Sequence, residues 1–61
     1  VVNPEKLDRD ALLDHTHGYL LAAAKDKFSG QVLRIVGVAL LHDLSMMTDG
    51  QLRTLYRELL S

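Results

Sequence analysis

Three histidines, together with the carboxylates near them, carry whatever metal or acid-base chemistry this chain could do. His15 and His17 alternate, but on a helix they stand about 200° apart in rotation. They could clamp one ion only if Gly18 broke the helix. Asp10, Asp14 and His17 are better aligned, because positions i, i+4 and i+7 share a face. Asp14-x-x-His17 also has the carboxylate-x-x-His spacing of metal-binding bundles. Such sites draw carboxylates from other helices too, and here only Asp43, beside His42, is on offer. The expectation is a solvated polar strip with no bound metal. No Ser/His/Asp set has interpretable spacing and no Gly-rich phosphate loop exists. One Phe and two Tyr are too few for a base-stacking platform. No catalytic residue and no cofactor are expected, and the chain reads as a non-enzyme.

Two resemblances qualify that expectation. The segment Val38-Ala39-Leu40-Leu41-His42-Asp43-Leu44 resembles the His-Asp motif of HD-domain phosphohydrolases, in which an apolar helix ends in consecutive metal ligands. That likeness implies ligand roles for His42 and Asp43, with His15 or His17 as the upstream histidine. It covers about half of the chain and rests on a short motif. The family continues with Gly and Lys and needs a further Asp on a later helix, whereas Ser45, Met46 and Met47 follow here. It therefore implies at most a fragment of a metal-dependent hydrolase. Separately, Tyr19-Leu20-Leu21 and Thr48-x-x-Gln51-Leu52 are similar, with gaps, to the D subunit of the flagellar master regulator, which implies a DNA-binding transcriptional regulator. Leu44 to Leu60 would then be a helix-turn-helix presenting Gln51, Arg53, Thr54 and Arg57 to DNA. Asp49 and Glu58 cancel those arginines locally, and the turn from Ser45 to Gly50 is longer than that motif uses.

The elements that must position these residues are bounded by length. Sixty-one residues make one domain, 1–61, at most. A chain this short buries only about 60% of its unfolded surface and usually needs reinforcement. With no cysteine, disulfides and thiolate zinc sites are excluded, which leaves oligomerisation. The net charge of -1 supplies no basic field for nucleic acid or anionic lipid. Nucleic acid is therefore a disfavoured partner, and no small molecule is indicated. The longest apolar run, Ile35 to Leu41, is far shorter than the roughly 20 residues of a membrane span. Val1-Val2-Asn3-Pro4-Glu5-Lys6 lacks the basic head and apolar core of a signal peptide. The missing initiator Met suggests an excised domain, and a cytoplasmic location is expected.

Periodicity predicts an all-α fold of three helices over 4–28, 31–46 and 49–60. Asn3 would cap the first helix with Pro4 at its first position. Leu13, Leu20, Ala24 and Phe28 mark its apolar side, widened by Leu12, Tyr19 and Ala23. Gly18 weakens it, yet a continuous helix is favoured over a break. In the second helix Val32, Leu33, Ile35, Val36, Ala39, Leu40, Leu41 and Leu44 cover well over half of the circumference. Four β-branched residues, Val32, Ile35, Val36 and Val38, make a buried strand the competing local reading. No turn signal interrupts the run and no second strand candidate exists to pair with it. Thr48-Asp49-Gly50-Gln51 opens the third helix as a capping box, followed by Leu52, Leu55, Tyr56, Leu59 and Leu60 on one face.

The second helix, placed at the centre, would carry more apolar surface than two short neighbours can cover. Gly30, Gly37 and Leu44 recur every seven residues and suit close approach by another backbone. Alternatively, Gly37 accommodates a bulky side chain of its own chain, such as Tyr19 or Phe28. The expected function is protein-protein interaction, most simply as a homodimeric small regulator or excised dimerisation domain. Dimerisation would complete a helical bundle through Gly30, Leu33, Val36, Gly37, Leu40 and Leu44.

Overall fold

The computed structural model describes residues 3 to 61, apart from the side chain of Pro4. Val1 and Val2, where the stretch read for a leader begins, lie outside the described residues. A 3-10 turn, Pro4–Lys6, precedes α1 (Arg9–Ala24), α2 (Gly30–Ser45) and α3 (Asp49–Leu60). The all-α, three-helix expectation holds, and the β-branched run of α2 is helical throughout.

The first helix is shorter than the predicted 4–28. Asn3 Oδ1 accepts from the Glu5 amide, and the Asn3 carbonyl accepts from the Lys6 amide, which closes a single turn. The helix proper starts after Asp8, whose carboxylate accepts from the Ala11 amide at 2.8 Å. The break at residues 7 and 8 lets Leu7 pack against the core, while its carbonyl accepts from Arg53 at 2.9 Å. At the other end, Lys25, Asp26 and Lys27 form a turn, because three charged residues offer no apolar face to dock. Phe28 does not extend the helix and remains exposed. Gly30 then takes a φ of +62°, a left-handed conformation that favours glycine, and redirects the chain into α2. Gly18 causes no break.

A second correction concerns the centre of the unit. Helix contacts run from α1 to both α2 and α3, while α2 and α3 hardly touch each other. The middle position belongs to α1, whose apolar residues are spread around its axis rather than gathered on one side. Leu12 joins Leu44, Leu52 and Tyr56 in the core, while Leu21 and His17 turn towards α2. Thr16 is fully buried and satisfied, its hydroxyl donating to the Leu12 carbonyl. Extents of 34 × 23 × 15 Å describe a flat layer with α1 between its neighbours.

Arg9 ties the layer at one end. Its guanidinium donates to the carbonyls of Ser45 and Met47, at 2.9 and 2.8 Å, and to Asp49 at 2.6 Å. The α2–α3 turn is thereby held against the start of α1, and carbonyls left orphaned at the end of α2 gain a cationic donor. The predicted capping box of α3 is complete, with Thr48 and Gln51 each accepting from the other's amide.

Candidate interaction face

Helix α2 contacts α1 along one side only, and what it presents on the other side is apolar. Val32, Ile35, Val38 and Leu41 are 52%, 64%, 71% and 43% exposed. A single exposed Leu or Val needs no explanation, but Ile35 and Val38 side by side away from α1, with Val32 and Leu41 at the two edges, make a larger apolar surface. The patch includes a shallow groove lined by Gln31, Arg34, Ile35, Val38, Ala39 and His42. A second groove, between α1 and α2, shares Arg34 and Val38 with it and adds Leu41, so the apolar surface continues around the helix.

The cause of this orientation lies at Gly37. The residue is buried, and a Cβ built on it would lie 3.1 Å from Leu21 Cδ1. One turn earlier on α1, His17 Nε2 sits 2.8 Å from the Gly37 carbonyl oxygen. A carbonyl only accepts, so Nε2 carries the hydrogen and donates. This contact fixes the rotation of α2, turning Leu33, Gly37, Leu40 and Leu44 inward and Ile35 and Val38 outward.

The six residues expected at an interface are placed accordingly. Gly37 and Leu44 are buried within the chain, and Leu33, Val36 and Leu40 are half-buried on the side towards α1. Gly30 is exposed at the start of α2. The neighbour at Gly37 is a bulky side chain of the same chain, namely Leu21 rather than Tyr19 or Phe28. Sequence reasoning missed Ile35 and Val38 as the outward pair, with Val32 and Leu41 exposed at the two edges of that side. A signal for Ile35 and Val38 existed in their 4-3-4 spacing with Gln31 and His42, obscured because the opposite side of the helix is equally apolar.

The four possible DNA contacts do not share one side of α3. At about 100° per residue, Gln51, Thr54 and Arg57 step round the helix by about 60° each, and Arg53 lies about 160° from Gln51. Each is also engaged at home. Gln51 serves in the capping box, the Thr54 hydroxyl donates to the Gly50 carbonyl, Arg53 donates to Leu7, and Arg57 pairs with Glu5.

The histidines are dispersed. His15 is exposed, with its ring 6.1 Å from that of Tyr56, His17 is spent on Gly37, and His42 borders the outer groove of α2. Among the described residues no three His, Asp or Glu side chains are grouped to hold a metal ion. No helix among them is long and apolar enough to cross a membrane. In comparison with known proteins, no family model, no curated protein and no solved structure matches this chain.

Proposed function

We propose that this chain is a protein-protein interaction module that works by self-association through the outer side of α2, in its simplest form a homodimeric regulator or dimerisation domain. The observation that carries this is the exposure of Ile35 and Val38, 64% and 71%, at the middle of the helix with no charged residue from Ile35 through Leu41. Covering such a surface removes apolar area from water at about 25 cal/mol per Å². The flat layer around α1 leaves that side with no neighbour among the described residues that could fold over it.

Sedimentation across a dilution series tests the proposal. The parent chain should pass from dimer to monomer as it is diluted. Ile35→Asp should remain monomeric at every concentration while keeping its helical circular dichroism, since position 35 makes no part of the core. A parent chain that stays monomeric throughout would defeat the proposal.

A further inference from the structure

We propose that the end of the molecule where α1 passes into α2 docks on an anionic lipid surface, with Phe28 entering between the headgroups and Lys25, Lys27 and Arg34 meeting their negative charge. The net charge of -1 conceals a segregation. Between Asp14 and Asp43 the only acid is Asp26, against Lys25, Lys27 and Arg34, so residues 15–42 carry +2 and the rest of the chain -3. These three cations are also the available ones. Arg9, Arg53 and Arg57 are held by carbonyls or carboxylates of their own chain. Among the described residues, Lys25, Lys27 and Arg34 form no ion pair and no side-chain hydrogen bond.

The topology turns this segregation into an axis. Lys25 and Lys27 lie in the turn between α1 and α2, and Arg34 is one turn into α2. Asp10 and Asp43 stand at the far ends of the same two helices, about 20 Å away at 1.5 Å per residue. That is more than two screening lengths at physiological salt, so those carboxylates do not offset the positive field at the turn.

Phe28 supplies the apolar anchor. It is 42% exposed beside Lys27, and Val32, four residues on, is 52% exposed. An aromatic ring between lysines with aliphatic stems suits the boundary between headgroups and acyl chains. The backbone here is also prepared for a medium poor in water. The amides of Lys25, Asp26, Lys27 and Phe28 donate to carbonyls of Leu21, Ala23 and Ala24 at 2.8–3.3 Å. Four successive donors therefore need no water when headgroups displace it. A protein partner would have to match the shape of this turn, whereas a fluid headgroup layer needs only charge and a few apolar side chains.

The chain has no tryptophan, so Phe28→Trp places a single fluorescent reporter at the turn. It is titrated with phosphatidylcholine vesicles, pure or containing about 30% phosphatidylserine. Each cation near an anionic surface strengthens binding about 5-fold, so a net charge of two should favour the anionic vesicles by about 25-fold. On those vesicles the tryptophan emission should shift to the blue and be quenched by brominated acyl chains. Lys25→Gln combined with Lys27→Gln should weaken anionic binding about 25-fold, and Phe28→Ser, followed by vesicle sedimentation, about 10-fold. All these positions are exposed, so the helical circular dichroism should not change. No binding at millimolar lipid, equal binding of both vesicle types, or binding that the lysine substitutions leave unchanged would overturn the proposal. Binding to polyglutamate as tight as to the anionic vesicles, with the tryptophan left in water, would overturn it too and assign this end to an acidic protein.

Discussion

His17 and Gly37 lock α1 to α2 through one hydrogen bond, from the imidazole Nε2 to a carbonyl in the middle of the neighbouring helix. That contact needs close approach, and a residue larger than alanine at position 37 would meet Leu21 between the helices. The same pair that closes the inner side of α2 thereby decides which residues remain outside.

Substitutions at Gly37 should separate small from large side chains. Gly37→Ala gains up to about 1 kcal/mol of helix propensity, and the methyl meets only the end of Leu21, a flexible half-buried side chain that can move by the few tenths of an ångström required. The two effects should leave stability within about 1 kcal/mol of the parent. Gly37→Leu must push α1 away and break the His17 bond, with a loss of about 2 kcal/mol or more. Urea unfolding at fixed protein concentration checks both; equal stability of Gly37→Leu and parent would refute the close-packed contact.

Gly18 and Gly30 should respond in opposite directions. A Cβ at Gly18 would meet nothing within 4 Å, and the residue lies inside α1. Gly18→Ala should therefore stabilise by about 0.5–1 kcal/mol, raising Tm by several degrees in a domain of this size. Gly30 also has open space around it, but its φ of +62° is the obstacle. Gly30→Ala should destabilise by about 1 kcal/mol, so thermal melts of the two variants should bracket that of the parent.

The sequence exposes what is local and hides what is relational. Helix α3 lies at its predicted 49–60 because Thr48 and Gln51 fix its start within four residues and one apolar face carries it onward. Helix α2 is legible despite its β-branched run, yet apolar residues on nearly every side leave no contrast by which to choose the side facing α1. The packing of Leu21 onto Gly37 made that choice, and it joins residues sixteen apart whose types say nothing about each other. The short first turn was hidden for a related reason. Asn3-Pro4 is a sound local start signal, but Asp8 offers a second one, and only the docking of Leu7 favours the later start.

Loss of the capping box should be felt locally and modestly. Thr48→Ala removes the acceptor for the Gln51 amide, which is 3.2 Å from the hydroxyl. A loss of about 1 kcal/mol is expected. Thr48→Ser and Thr48→Asp should retain most of the stability because each keeps an oxygen at the same reach. If Ala and Ser variants unfolded at the same urea concentration, the cap would contribute nothing.

Arg9 offers the sharpest distinction between charge and shape. An exposed ion pair such as that with Asp49 contributes at most about 1 kcal/mol. Arg9 also donates to the Ser45 and Met47 carbonyls at the α2–α3 turn, and this geometry requires a planar fork with several hydrogens. Lysine keeps the charge but presents a single ammonium that cannot span three acceptors. Arg9→Lys should therefore recover little of the roughly 1–3 kcal/mol lost in Arg9→Ala, and the loss should persist at 1 M salt, where a purely ionic contribution is screened. Full recovery by lysine, or erasure of the difference by salt, would show that the ion pair alone holds the turn against α1.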